Sequence, residues 1–479
     1  MRQDRHGPGR NQPTDGGGDT VLVIVGANPT VAREAAALPV ELVHVQLPGA
    51  PALDPGARVL TADFLDLPGF LAFTEEVLRP LAPAAVVSLT ELGLEPAALA
   101  ARRLGVAGVD PAAVRATRDK LEMRRILERE APHLNPAFAA GDDAEAVARL
   151  FAAHGRAVAK PVDGVGSTSI ALVEGIDALP ADRRTAATLL EQFAEGREFS
   201  VEALSAAGRH TVHGIAEKGT TDGFIEVSHM MPPPSLDAHR QQLVARAVGE
   251  LLDALGVTDG PSHTEVKVDG DKVVVIETHT RLGGDGIADL VRLTTGVEWR
   301  RAALGWAVGA EVVRGPAAAA AAATVFLTAP PGRVTAVAPP PALAHGDVHT
   351  WDVSVRPGDR VGALRSSSDR LGMAVLTAAD TDACAAAVAE LNRPPGGHHR
   401  ARSAPLTGTP HGRGAGPHGP SPVTPSLLHR SRHRNHRGNT CLSRTRPFPT
   451  ISTATPRSRC PSRTSSPRTS TSTSTSTPR

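Results

Sequence analysis

Between residues 262 and 286 the chain reads SHTEVKVDGDKVVVIETHTRLGGDG, with its apolar positions at the spacing of two strands. Val273–Ile276 is a continuous β-branched run, which favours extended backbone with side chains alternating between two faces. Glu277, His279 and Arg281 then share one face, and on the preceding strand so do His263, Glu265 and Lys267. Asp269-Gly270-Asp271 marks the turn. A two-residue loop would pair odd positions with even ones and send Glu265 and Glu277 to opposite faces. The expectation is therefore a three-residue loop, left-handed at or beside Gly270, that keeps both carboxylates on one face.

Upstream, Val21–Val25 reads as a buried strand, followed by the turn Gly26-Ala27-Asn28-Pro29-Thr30 and a helical stretch over 31–37. That order opens a parallel α/β domain, with further strands predicted at 41–45 and at 85–89, the latter followed by Thr90-Glu91. The GxGxxG pattern is missing, so the scaffold is Rossmann-like without a bound dinucleotide. Asp110-Pro111 starts a helix predicted over 112–130 that carries Arg118, Asp119 and Lys120. On spacing alone Lys120 is an ordinary solvated charge.

A short strand, 157–161, delivers Lys160 to the stretch DGVGSTSI. There Gly164 and Gly166 let backbone N–H groups turn toward an anion, while Ser167 and Thr168 add donors. A plain hairpin loop has the same composition; the lysine on the preceding strand tips the reading toward a nucleotide. The strand 188–194 carries Glu191, Gln192 and Phe193 into a linker, and Glu198 follows on the next strand. Carboxylates there suit an adenine amino group or ribose hydroxyls, or are ordinary exposed acids. His229–Pro234 is expected as a stiff loop, 239–255 as an amphipathic helix, and 287–296 and 297–310 as two more. The Ala-rich tract 315–323 is expected to separate off a small β-rich unit, 324–393, closed by a helix over 380–392.

Formal charge is +1 for the 479 residues, but 14 arginines and no acid lie from Pro394 onward, which leaves −13 for the rest. That terminal stretch, rich in Ser, Thr and Pro, cannot bury enough apolar surface to fold and is expected to be disordered, as are residues 1–19. A shifted reading frame would produce such a break in composition, so no nucleic-acid partner is expected from the arginines. No run of 18 apolar residues and no apolar leader core occur, so no membrane association and a cytoplasmic location are expected. Cys384, Cys441 and Cys460 lack the spacing of a zinc site and the context of a disulfide framework.

Two carboxylates about 4 Å apart repel by roughly 4 kcal/mol at an effective dielectric near 20. Glu265 and Glu277 brought together would therefore want a cation, and hard oxygen ligands beside Arg281 suggest magnesium. A surface hairpin with solvated charges is the plain alternative; the set Glu, Glu, His and Arg followed by Gly283-Gly284-Asp285 favours a site.

In order and spacing, Lys120, the Ala159-Lys160-Pro161 strand with its Gly-rich loop, Glu191-Gln192-Phe193, Glu198, His263-Thr264-Glu265 and Glu277-Thr278-His279-Thr280-Arg281-Leu282-Gly283-Gly284-Asp285 resemble the ATP-grasp superfamily, and within it the carboxylate-amine ligases, including amino-acid (dipeptide) ligases. The resemblance spans roughly 20–393. It implies an α/β (α+β) ATP-grasp fold: a Rossmann-like pre-ATP-grasp domain at 20–111, the ATP-grasp domain at 112–312 and a small C-terminal α+β unit at 320–393. Carried over residue by residue, it implies that Lys120 and Lys160 contact nucleotide phosphates under a loop of Gly164, Gly166, Ser167 and Thr168. Glu191 would face the adenine amino group with Gln192 and Phe193 in the hinge, and Glu198 would take the ribose hydroxyls. Glu265 and Glu277 would hold magnesium, for which manganese could substitute, and Arg281 would hold the transferred phosphoryl group or a substrate carboxylate. His279 stands where many members have Asn. A neutral imidazole there can still donate to a phosphate oxygen. The chemistry implied is ATP-dependent amide formation from small-molecule carboxylate and amine substrates through an acyl phosphate, behind mobile lids at the Gly-rich loop and at 219–235. Homodimers accord with the resemblance. Bicarbonate activation is the rival ATP-grasp chemistry, and a nucleotide-binding module without catalysis is the rival of another class.

Overall fold

A computed structural model describes residues 20–164 and 169–393, and the backbone of 403–404. The expectations for Gly166, Ser167, Thr168, the amino-terminal stretch and the arginine-rich terminus lie outside these residues.

The first layer is β1 (Val21–Val25), α1 (Pro29–Ala35), β2 (Glu41–Gln46), β3 (Arg58–Thr61), α2 (Leu67–Phe73), β4 (Ala85–Val87) and α3 (Leu94–Leu104). Its parallel sheet runs β3-β2-β1-β4. All five residues of β1 are buried, because both sheet faces are covered. At the start of α1 the Asn28 side chain accepts the Val31 N–H at 2.9 Å and Pro29 stands in the first turn.

The next elements are α4 (Pro111–Arg118), α5 (Lys120–Glu130), β5 (Phe138–Ala140), α6 (Ala144–His154), β6 (Ala157–Pro161), β7 (Ala171–Val173) and β8 (Thr188–Gln192). The strands form an antiparallel sheet in the order β5-β8-β6-β7. The single helix expected over 112–130 is two helices. Asp119 leaves the helical region at φ −89°, ψ 101°, and its carboxylate caps α5 through the Glu122 N–H at 2.9 Å. The Lys120 N–H, freed by the break, donates to the Val162 carbonyl at 3.0 Å and pins the start of α5 to the end of β6.

Then follow β9 (Arg197–Ala206), β10 (Arg209–Thr220), β11 (Glu226–Met231), α7 (Ala238–Ala254), β12 (Gly260–Asp269), β13 (Lys272–His279), α8 (Ile287–Thr295), α9 (Trp299–Gly305), β14 (Ala321–Phe326), β15 (Gly332–Val334), β16 (Asp347–Val353), β17 (Arg360–Val361), β18 (Gly372–Ala378) and α10 (Thr381–Leu391). Eight of these strands build one antiparallel sheet, β13-β12-β9-β10-β11-β14-β18-β16. Two sequence expectations change here. The Ala-rich tract does not simply separate units: Ala321, Ala322 and Ala323 are fully buried in β14, which joins β11 to β18 so that the C-terminal strands extend the same sheet. His229, Met230 and Met231 lie within β11 and not in a stiff loop, the first two paired with β10 and β14 and Met231 with β14. Much of the stretch expected as a lid over 219–235 is therefore built into the sheet.

Strand alternation divides the core. Phe199, Val201 and Ala203 of β9 pack with Val244, Val248 and Leu251 of α7 and with Met123 and Leu127 of α5. On the other face Leu204 joins Leu290 and Val291 of α8, Trp299 and Ala302 of α9, and Leu22 and Ile24 of β1. Glu198 and Glu202 share the parity of Leu204: Glu202 is fully buried beneath Trp299 of α9, and Glu198, further along β9, lies where the helices no longer cover the face.

Candidate functional site

The hairpin of β12 and β13 turns through two residues, not three: Asp269 pairs with Lys272 across Gly270 and Asp271. Gly270 takes φ +58°, the left-handed first position that tight hairpins reserve for glycine. From there Val268 faces Val273, Lys267 faces Val274 and Val266 faces Val275. The register then slips, and Glu265 faces Glu277, Thr264 faces Thr278 and His263 faces His279. Ile276 is the extra residue, a β-bulge that reverses parity for everything after it. The two carboxylates meet as expected, by a different device.

The bulge turns the Ile276 carbonyl out of the ladder, where it accepts from Arg124 Nη2 at 2.6 Å and Lys160 Nζ at 3.3 Å. Both cations also hold Glu191: Arg124 Nε at 2.6 Å on one oxygen and Lys160 Nζ at 2.7 Å on the other. Burial opposes ionisation of Glu191, but the two cations keep its pKa below the ordinary value. For Lys160 burial wins, and its pKa is lowered despite the Glu191 carboxylate.

Glu265 receives Lys218 Nζ at 2.7 Å and has His263 Nε2 at 3.6 Å. Burial works against its charge, yet Lys218 and the His263 hydrogen bond bring its pKa down to about 2. Glu277 is held well below the carboxylate range in the same way, burial being outweighed by Lys120 Nζ at 3.1 Å and His279 Nε2 at 3.4 Å. Lys218 also meets Glu198 at 2.7 Å and Glu226 at 3.4 Å, and although it is buried this ring of acids raises its pKa well above the usual value.

These side chains wall a cavity of about 240 Å³. Of the residues singled out from sequence, Lys120, Lys160, Gly164, Glu191, Gln192, Phe193, Glu198, Glu265, Glu277 and Arg281 line it. His279 does not. It is 2% exposed, with its ring between Glu277 and Glu91, where Nδ1 stands 3.5 Å from the Glu91 carboxylate, so it backs Glu277 and does not reach the cavity. Phe193 is flanked by the Arg156 guanidinium 4.3 Å and the Lys267 ammonium 4.7 Å from its ring centre. Arg281 donates through Nε to Glu91 at 2.7 Å, a residue of the first layer that Arg118 also meets, at 3.2 Å.

Sequence reasoning did not single out Arg124, Lys218, Glu226 or Arg370 as site residues, and it named Asp285 only as the end of a motif, without a role. Arg124 lies one helical turn after Lys120 and on its face, a spacing that was available. Arg370 had no local signal: it comes from the connection just before β18, grips Asp285 with two bonds of 2.9 and 2.7 Å and lies over the Phe326 ring at 3.6 Å. His263 is buried against Glu202 at 2.6 Å. Burial would depress its pKa, but Glu202 raises it to about 9, so at neutral pH the ring is an imidazolium beside Glu265. Glu202 is fixed in turn by Trp299 Nε1 at 2.8 Å and the Gly283 N–H at 3.1 Å. A Cβ on Gly283 would fall 2.5 Å from Glu202, so glycine permits that approach.

Ionised, cavity-facing carboxylates on adjacent strands fit a hard divalent cation. Among the described residues no three His, Cys, Asp or Glu converge on a metal-sized seat, so such an ion would need oxygen ligands from a bound molecule or water. Buried lysines beside the pair suit an anion that brings those oxygens. No helix among the described residues is long and apolar enough to cross a membrane.

Comparison with known proteins finds similar domains, similar folds and a similar sequence. Residues 180–289 match the model of an ATP-grasp domain, and residues 325–393 match that of the L-amino acid ligase C-terminal domain 2. The L-amino acid ligase of Bacillus licheniformis has a similar fold, with TM-score 0.62 and 22% identity over 78% of this chain and 96% of that one. The N5-carboxyaminoimidazole ribonucleotide synthetase of Thermus thermophilus is similar at TM-score 0.57 and 18% identity, over 78% and 99%. An uncharacterized protein of Sinorhizobium fredii, y4rH, is 28% identical over 210 residues, which is 41% of this chain and 43% of that protein's length. The matches agree with one another: residues 180–289 are similar to an ATP-grasp domain and residues 325–393 to an L-amino acid ligase domain, within a fold that the L-amino acid ligase structure shares.

Proposed function

We propose that the protein joins a carboxylate to an amine at the expense of ATP, through an acyl phosphate, with release of ADP and phosphate. The observation that carries the reading is the register that sets Glu265 opposite Glu277 in a cavity also walled by Lys120 and Lys160. Residues 112–312 would form the nucleotide-clasping domain, 20–111 the domain before it and 320–393 the C-terminal unit.

Bound in the cavity, ATP with its magnesium ions would supply the phosphoryl group that activates the carboxylate. Glu265 and Glu277 would hold the metal, and Lys120 and Lys160 the phosphate oxygens. Gln192 and Phe193 would line the base, and Glu198 the ribose. Glu191 has both oxygens bonded to cations, which suits a role in orienting Lys160 beside the nucleotide. Arg281, with a planar fork matched to carboxylate or phosphate, would hold the reacting group. Among the described residues the wall's Ser367, His263 and Asp285 are bonded to Glu226, Glu202 and Arg370 and form no relay with one another, and phosphoryl transfer needs positioning and charge neutralisation more than a nucleophile. Two proteins of similar fold are complexes with nucleotide, one with ADP and magnesium and one with ATP, which supports the same ligands here. The match of 325–393 to an L-amino acid ligase domain favours amino acids as substrates.

The test is ADP and phosphate release from ATP and MgCl2 with amino acids supplied in pairs, and mass spectrometry of the product. A condensed product that needs both amino acids supports the reading. ADP release stimulated by bicarbonate without any amine would replace it with bicarbonate activation, as in a carboxylase, an enzyme named among the similar folds.

A further inference from the structure

We propose that Arg124 is a positioning residue for the metal and phosphate seat, clamping the Ile276 bulge and the Glu191–Lys160 pair so that Glu277 stays opposite Glu265. The inference rests on the reading of the site given above and adds a residue that would touch neither metal nor nucleotide.

Arg124 is fully buried on α5. Its guanidinium spends three nitrogens on three elements: Nε on Glu191 at 2.6 Å, Nη2 on the Ile276 carbonyl at 2.6 Å and Nη1 on Asn135 Oδ1 at 3.4 Å. Asn135 returns its amide to the Arg124 carbonyl at 3.0 Å, which ties the arginine's own backbone to the same loop. Lys160 contacts the same two acceptors, Glu191 and the Ile276 carbonyl, at 2.7 and 3.3 Å. Two cations and two acceptors thus form a closed square, each acceptor shared.

The register gives that square a consequence for the site. The turn pairs Asp269 with Lys272, and continuing that register without a bulge would set Glu265 opposite Ile276 and send Glu277 to the other face. Only the extra residue at 276 brings the carboxylates together. A bulged carbonyl is lost to the ladder and, once buried, must find a donor. A guanidinium can bridge that carbonyl and a carboxylate oxygen at once because its donors lie in a rigid planar fork; an ammonium in the same place reaches fewer partners in fixed directions. Arg124 therefore acts on Glu277 through the backbone and on Lys160 through their shared acceptors.

The experiment uses the full chain, with MgATP binding measured by calorimetry over a series of MgCl2 concentrations for the wild type, Arg124→Met, Arg124→Lys and Arg300→Met. Arg300 serves as a structural control: it makes a two-bond pair with Asp289, 2.7 Å on each arm, away from the cavity wall. Loss of a group that orients a metal ligand typically weakens metal affinity about 10- to 100-fold, so the magnesium concentration for half-maximal MgATP binding is expected to rise by that factor in Arg124→Met. Arg124→Lys is expected to recover part of the loss, and Arg300→Met to lower the melting temperature with the magnesium requirement unchanged. If Arg124→Met fails to fold, a raised requirement in folded Arg124→Lys supports the proposal and an unchanged one overturns it. A wild-type requirement in folded Arg124→Met, or an equal rise in Arg300→Met, also overturns it. A wild type that binds no MgATP would sink the site reading and this inference with it, whereas a binding wild type with unaffected Arg124 variants would sink this inference alone.

Discussion

Lys218 offers a direct test of the electrostatics. Its ammonium is buried and stands 2.7 Å from Glu198, 2.7 Å from Glu265 and 3.4 Å from Glu226. Lys218→Met keeps most of the volume and removes the charge. Deleting one partner of a buried ion pair costs about 3–5 kcal/mol, because the remaining charge is left without compensation. Glu265 gives an independent figure: holding a carboxyl near 2 instead of 4.5 corresponds to about 3 kcal/mol of stability at neutral pH. The sign follows from the lowered value. This stability is present above the unfolded pKa and is lost as pH falls through the folded one. In Lys218→Met the unpaired buried carboxyls have raised pKa values, so the variant suffers most at neutral pH and least in acid. Melts of wild type and variant without nucleotide between about pH 3 and 8 should therefore converge toward the acid end. A gap that stays constant across that range would refute the pairing of Lys218 with these carboxylates and show only a packing defect.

Three further outcomes are expected. Glu277→Gln removes a charge from the carboxylate pair and should reduce ATP-dependent ADP release by about 100-fold or more, on the scale of losing one group that stabilises transferring charge, with the circular dichroism of the wild type and a lower melting temperature, because the buried Lys120 loses its carboxylate. Glu202→Gln withdraws the anion that holds His263 near 9. The His263 ring signal, followed by NMR, should then titrate well below 9; the stability of the pair, present below the unfolded value of 6.5 and lost as pH rises through 9, should vanish from the alkaline limb of the melting profile. Arg370→Met strands Asp285, whose carboxylate takes two bonds from that guanidinium, and should cost about 3 kcal/mol in a thermal melt, whereas the double change with Asp285→Asn should recover part of the loss.

How much of this was legible in the sequence depends on the range over which each feature is determined. Strands and helices set by local periodicity were legible: β1 as a buried apolar run, α7 as an amphipathic stretch, and the order of lysines and acids that resembles ATP-grasp ligases. The hairpin parity was not. Gly270 explains the turn, but nothing in VVVIE announces that Ile276 leaves the ladder, because the bulge is held by Arg124 and Lys160 from other parts of the chain. The break at Asp119 was hidden for a similar reason: an Asp inside a helical pattern becomes a cap only when the chain bends to dock Lys120 on Val162. His229 and the Met pair look like a loop beside three prolines, yet β10 and β14 flank them and make them a strand. Arg370 reaches the cavity only because β14 and β18 extend the central sheet, which no local pattern encodes.

Among the described residues the cavity wall carries six Lys or Arg side chains and six Glu or Asp side chains, with His263 in addition. A wall so balanced would present no strong net field, and its contacts explain how it can remain folded while its charges are buried. Lys120 lies on Glu277, Lys218 on Glu265 and Lys160 on Glu191. On the proposed reading, a divalent ion takes carboxylates from two of these pairs and an anionic phosphate takes lysines, so binding exchanges one set of paired charges for another. Desolvation of these groups, the largest cost of placing ions in a low-dielectric site, is then met on folding and not again on binding. The two seats should therefore be coupled. An anion without a cation would leave Glu265 and Glu277 facing each other with their lysines withdrawn, and a cation without an anion would strand the ammonium groups. Calorimetric titration with ATP in EDTA, with MgCl2 alone and with both should show tight binding only for the combination, and equal affinity for ATP with and without magnesium would refute partner exchange as the principle of the site.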